Sequence, residues 1–116
     1  MQSMSETTFE VSVTADTADY AVVAVVGDLD LLGATKLHRP LSDALSRPVA
    51  VLDLSECEFC DSSGLRTILE AMQRAHGTGH AFRIARAGKA VMRVFETAGL
   101  LTELSLYPTV EAAVEG

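Results

Sequence analysis

The chain has 116 residues, is 48% hydrophobic and 22% charged, and carries a formal net charge of -7. That length bounds a single domain, large enough to bury a core without disulfides or metal. The acidic balance, with no basic run to offset it, excludes nucleic acid and an anionic membrane surface as partners, and no apolar run reaches the ~20 residues of a membrane span.

Met1 to Thr8 are polar and lack both a basic n-region and an apolar h-region, so residues 1–8 read as a flexible N-terminus and not as a secretory signal. With no signal and two cysteines, a cytoplasmic location with reduced thiols is expected. Phe9 to Thr14 alternates apolar and polar residues, the pattern of a half-buried strand, and Ala15 to Asp19 reads as a turn. Tyr20 to Val26 is apolar and β-branched, as a buried strand requires. Gly27-Asp28-Leu29-Asp30 ends it. Ala34, Leu37, Leu41, Ala44 and Leu45 then recur at helical spacing, with Pro40 expected to shift or kink the start of that helix.

Val49 to Leu54 is the next strand, and a helix from about Ser62 to Ala75 is expected to bury Leu65, Ile68, Leu69 and Met72. His76-Gly77-Thr78-Gly79 stops it. His80 to Ala85 is a short strand, Lys89 to Ala98 a helix stopped by Gly99, and Leu104 to Tyr107 a last short strand. Pro108 is placed near N1 of a C-terminal helix ending near Val114. The order, a hairpin followed by βα units, implies an α/β fold whose sheet is mostly parallel with one antiparallel edge strand.

The strand-to-helix junction at Asp61-Ser62-Ser63-Gly64 holds the most informative chemistry. With Leu65 at zero and about 100° per residue, the expected buried face centres near about -10°, with Ser62 roughly 70° and Ser63 roughly 170° from it. On that phase Ser63 points outward with Thr67, Glu70 and Arg74, within reach of a kinase, while Ser62 bonds locally or caps. Asp and Ser are also ordinary N-cap residues, so spacing alone leaves a purely capping role open. Gly27-Asp28-Leu29-Asp30 leaves the carboxyl end of another strand, and in open α/β sheets such ends lie along one edge. Two acidic loops can therefore flank Ser63, orient its hydroxyl or help hold a partner's Mg²⁺; the alternative is that they are turn residues and caps.

Cys57-Glu58-Phe59-Cys60 is a CxxC, and with His76 and His80 it also fits a Cys2His2 zinc spacing. Gly77 and Gly79 interrupt the helical turn that paired histidines need, and the chain has no Trp and no Gly-Pro between the cysteines. Both cysteines are therefore expected to be small buried residues, with no metal and no cofactor. There is no GxSxG elbow, no obvious general base among His38, His76 and His80, and no phosphate-binding Gly-rich loop, so an enzyme is the weakest class.

Gly27-Asp28-Leu29-Asp30 with its following helix, Val51-Leu52-Asp53-Leu54-Ser55, and Phe59-Cys60-Asp61-Ser62-Ser63-Gly64-Leu65 together resemble the anti-sigma factor antagonists of the STAS superfamily. Ala90 to Leu100 resembles the helix and Gly-Leu stop near that family's C-terminus, and the likeness runs from about Phe9 to Val114. The resemblance implies one STAS domain over residues 9–116, with a four- to five-stranded mixed, mostly parallel sheet and about four helices. It further implies a partner switch. The unphosphorylated antagonist binds an anti-sigma factor that is also a serine kinase of histidine-kinase-like ATPase fold, which releases a sigma factor. The kinase phosphorylates Ser63, the complex dissociates, and a serine phosphatase resets the cycle.

The partner-binding residues expected on this basis are Asp28, Asp30, Asp61, Ser62, Ser63, Gly64, Arg66, Thr67, Glu70 and Arg74, on a monomer or weak dimer. Three departures from the family stand out. Pro40 lies deeper in its helix than the family's early proline, so a later helix start is expected. Cys57 and Cys60 replace aliphatic residues, and Arg66 replaces a frequent Gly, a change able to alter which partner is accepted. Two rivals stand beside this reading. One is a receiver-like domain, disfavoured because only 25 residues separate Asp28 from Asp53 and no Pro follows Lys89. The other is an unphosphorylated STAS scaffold in a stress-signalling or transporter-associated complex.

Overall fold

The computed structural model describes residues 9–116; the flexible segment expected at 1–8 lies outside them. The elements are β1 (Glu10–Asp16), β2 (Tyr20–Val26), α1 (Leu31–Ala44), β3 (Val49–Glu56), α2 (Ser62–Thr78), β4 (Ala81–Ala85), α3 (Lys89–Thr97), β5 (Leu106–Tyr107) and α4 (Val110–Glu115). The five strands lie in sequence order, with β1 antiparallel to β2 and every other pair parallel. This is the mixed sheet and helix number read from the sequence. Among the described residues, no helix is long and apolar enough to cross a membrane.

The topology decides which face is which. Three successive crossovers step in the same direction along the sheet, and crossovers of one hand then place their helices on one face. Accordingly Val23, Val25, Leu52, Leu54 and Ile84 pack with Leu37 and Leu41 of α1, Ile68 of α2 and Phe95 of α3. The alternate residues Val22, Val51 and Ala85 face the other way and meet Ala113 of α4.

Local departures from the sequence reading have identifiable causes. In β1 the register with β2 shifts between Val13 and Ala15, a bulge that breaks alternation and sets Ala15 beside Val22 on the α4 face; Val13, on this edge strand, is 55% exposed. The strand also runs two residues past Thr14. Pro40 does not delay α1, contrary to expectation. Asp30 caps that helix, its Oδ1 accepting from the Gly33 N–H at 2.9 Å, so it starts at Leu31 with Pro40 inside it. The bond Pro40 cannot donate would have gone to the carbonyl of Lys36, an exposed residue, where water is available instead.

Helix α2 passes through Gly77 and stops at Gly79, which takes the left-handed conformation (φ 77°) while His80 N–H reaches back to the Ala75 carbonyl at 2.9 Å. Gly99 ends the next helix region as expected. Pro108 falls outside α4, because Thr109 takes the cap, its Oγ1 accepting from Ala112 N–H at 3.0 Å.

Candidate functional site

The carboxyl ends of β2 and β3 continue as two loops joined by backbone hydrogen bonds. Gly27 N–H donates to Glu56 O at 3.0 Å, Leu29 N–H to Phe59 O at 2.9 Å, and Asp61 N–H to Leu29 O at 3.1 Å. Leu29 and Cys60 form an isolated parallel bridge, and both side chains turn into the core. The two acidic loops are therefore neighbours, as their strand-end positions suggested.

Their carboxylates do specific local work. Asp30 caps α1. Asp61 caps α2, with Oδ1 accepting from Ser63 N–H at 2.8 Å and Gly64 N–H at 3.2 Å. Gly64 sets how closely α2 approaches the loops. A Cβ there would lie 2.5 Å from Leu29 O and 2.8 Å from Cys60 Sγ, so no larger residue fits without displacing backbone. Ala71 and Ala75 continue that close face.

This packing corrects the helical phase read from the sequence. The buried stripe of α2 is Gly64, Ile68, Ala71 and Ala75, with Leu65, Leu69 and Met72 only half-buried. The stripe is rotated by roughly 80° from one centred on the larger apolar residues. Small residues approach the sheet most closely, whereas a hydrophobicity pattern weights the large ones. Ser62 is consequently the exposed serine and Ser63 the half-buried one, the reverse of the expectation. Ser62 does not cap either. Among the described residues, no hydrogen bond engages the hydroxyl of Ser62 or Ser63. Ser63 instead contributes backbone, its carbonyl accepting from Thr67 Oγ1 at 3.2 Å.

Both serines, Arg66 and Thr67 form one wall of a groove of about 400 Å³, and Leu31, Thr35 and His38 of α1 form the facing one. Glu70 and Arg74 lie farther along the same helix seam in a separate small cleft, where Arg74 donates to Ser42 Oγ. The predicted residues from Ser62 to Arg74 are thus strung along α2, while Asp28 and Asp30 lie in the β2–α1 loop and Asp61 caps α2, rather than all being gathered at one point. Sequence reasoning missed the apolar rim of this edge: Leu31 is 70% exposed, Leu32 61% and Phe59 48%. The available signal was Leu31-Leu32 directly after the capping Asp30, out of phase with the Ala34, Leu37, Leu41 stripe.

The cysteines are buried, free and unreactive in character. Cys57 donates to Phe59 O at 3.3 Å. Burial raises the Cys57 thiol, and burial, reinforced by Cys57 and Asp61, pushes Cys60 up to about 12. Neither is a thiolate at neutral pH, as a redox CxxC would need. His80 is tied to the Leu45 carbonyl through Nδ1 at 3.0 Å. Among the described residues no three His, Cys, Asp or Glu side chains converge as a metal-ligand set.

A second acidic feature, on the opposite face of the sheet, was also missed. Asp53 in β3 is 5% exposed. Its Oδ2 accepts from Arg86 Nη2 at 2.7 Å, and its Oδ1 from Arg86 Nε at 3.2 Å and Ser55 N–H at 3.1 Å. Burial pushes the carboxyl up, but the Arg86 and Ser55 hydrogen bonds and the guanidinium charge outweigh it and hold it below the usual carboxylate range. Arg86 has a positive φ of 60°, rare for a side-chain-bearing residue.

A family model described as "Mlab, STAS domain" matches residues 12–107. The anti-sigma-F factor antagonist RsfB of Mycobacterium tuberculosis is 32% identical over 110 residues, covering 90% of this chain and 89% of that protein. The crystal structure of an anti-sigma factor antagonist from Mycobacterium paratuberculosis superposes with a TM-score of 0.81 at 27% identity, covering 93% of this chain and 92% of that one. The phosphorylated form of the Bacillus cell fate determinant SpoIIAA shares the fold, with a TM-score of 0.69 at 20% identity over 93% of this chain and 97% of that one.

Proposed function

This chain belongs to the STAS domain family of anti-sigma factor antagonists, and we propose that it is the phosphorylation-controlled member of a partner switch. Unphosphorylated, it binds an anti-sigma factor that is also a serine kinase, and a sigma factor is released. The kinase transfers the γ-phosphoryl group of ATP to Ser63 Oγ, the complex separates, and a phosphatase restores the hydroxyl. The chain acts by binding, in the cytoplasm, and not by catalysis.

The observation that carries this reading is the setting of Ser63. Its hydroxyl is uncommitted among the described residues, in the first turn of a helix already capped by Asp61, and at the edge of a face rimmed by Leu31, Leu32 and Phe59. Exposed apolar residues beside uncommitted polar ones suit a docking face. Asp28, Arg66, Glu70 and Arg74 supply its charges, while Asp30, Asp61 and Gly64 act on it through the caps and the helix approach.

Magnitudes favour a switch over unfolding. A phosphoserine adds about -1.5 to -2 charge, and a helix N-terminus favours an anion by about 0.3–1 kcal/mol. The free domain should therefore keep its fold when modified. In a closed complex the same group would be desolvated beside Asp61 and the Asp28 loop, and an unpaired buried charge costs several kcal/mol.

Incubation with candidate anti-sigma kinases and ATP, followed by mass-spectrometric mapping, tests the assignment. One phosphate at Ser63 is expected, with none in Ser63→Ala and weak kinase binding by Ser63→Asp. Equal kinase affinity of Ser63→Asp and wild type, or a phosphate confined to the more exposed Ser62, would overturn it.

A further inference from the structure

The groove beside Ser63 contains a feature that partner switching does not require. Among the described residues, the ion-paired arginines are Arg47, with Asp16, and Arg86, with Asp53. Arg66 is exposed and in neither pair. It stands three residues after Ser63, so the two are neighbours on the helix surface. Both line the same groove, and His38 faces them from α1. Ser63 is half-buried, so a group on its Oγ begins inside the groove. The backbone N–H groups of Ser63 and Gly64 already donate to Asp61. Any anion held here must therefore rely on side chains and not on those amides.

Resting on the reading of Ser63 as the modified serine, we propose that the α1–α2 groove is an internal phosphate cradle, in which Arg66, with His38 opposite, holds the phosphoryl group of phosphorylated Ser63. The chemistry fits. A phosphoserine presents three strong acceptor oxygens, and a guanidinium offers a planar fork of donors matched to them. His38 adds a donor from the facing wall. The opposing charges are Asp61 at the cap, Glu70 along α2, and Asp28 and Asp30 in the adjoining loop; Arg66 is the cation nearest in sequence to Ser63. The cradle makes the phosphorylated chain a closed, self-satisfied state. A phosphatase must displace Arg66 to reach the ester.

Phosphoserine installed at position 63 during translation tests this without any kinase, so its outcome is separate from whether Ser63 is the natural target. ³¹P NMR titration should place the second ionisation in wild type below the ~6 of an unperturbed phosphoserine, and Arg66→Ala should return it toward that value while Arg66→Lys keeps part of the shift. A non-specific alkaline phosphatase should hydrolyse Arg66→Ala several-fold faster than wild type, with His38→Ala in between. Thermal melts confirm that each variant is folded, as expected for exposed positions. Identical ³¹P titrations and hydrolysis rates in wild type and Arg66→Ala would overturn the cradle.

Discussion

Strand β3 directs acidic residues to two regions that use them in opposite ways. Toward α1 and α2, its continuing loop supplies Asp61, a half-buried cap that leaves two serine hydroxyls uncommitted. Toward α4, the strand itself supplies Asp53, buried and held by both Arg86 and the Ser55 amide. A capped helix end accepts a further anion at little cost, because solvent and neighbouring side chains adjust. A buried pair accepts no change of charge without losing much of its balance. The difference separates a helix end that solvent can adjust from a fixed pair that ties β3 to the residue following β4.

The largest expected effect is at the locked corner. Arg86→Ala strands Asp53 and should lower stability by about 2–3 kcal/mol in urea unfolding, less than the ~3–5 of a fully enclosed pair because water reaches the Arg86 side. Arg86→Gly loses the same pair but relaxes the positive φ, so it should be about 1 kcal/mol more stable than Arg86→Ala. If both match wild type, the corner is not locked and the contrast fails.

Gly64→Ala comes next. Its Cβ would press on Leu29 O and Cys60 Sγ, and overpacking of this kind costs about 1–3 kcal/mol, partly offset by the ~1 kcal/mol helix preference of Ala over Gly. A net loss of about 1–2 kcal/mol in thermal or urea unfolding is expected. Asp61→Ala removes the cap and should cost about 1 kcal/mol, with faster amide exchange at Ser63 and Gly64.

An acid titration sharpens the comparison further. The Asp53 carboxyl is held below its ordinary range by Arg86 and Ser55 against the effect of burial. Its stabilisation is therefore complete above the unfolded value of about 3.9 and is lost as pH falls through the lower folded value. Unfolding monitored by circular dichroism should show a steep loss of stability below about pH 4, and Asp53→Asn should flatten that limb from a lower plateau. The smallest effect belongs to Ser63→Ala, within about 0.5 kcal/mol of wild type in stability, because no hydrogen bond to its hydroxyl is lost among the described residues.

The sequence by itself determined the element order, the α/β class and the position of the Asp61-Ser62-Ser63-Gly64 junction. Periodicity, β-branched runs and Gly or Pro punctuation act locally, and β2, β3, α2 and α3 are locally consistent. It also supplied the burial of Cys57 and Cys60, since a small apolar side chain beside a core strand has few other roles. Tertiary structure alone decided which serine is exposed and which is half-buried. The depth of a helix face depends on how near the backbones come, and Gly64, Ala71 and Ala75 bring α2 against the sheet on a side that residue hydrophobicity does not mark. It likewise decided the partner of Asp53, because Arg86 is distant in sequence and adjacent only across the β3–β4 register. Finally, it turned Asp30 into the cap that starts α1 at Leu31 despite Pro40. A proline's effect on a helix depends on whether the freed carbonyl faces water, and only the packed structure settles that.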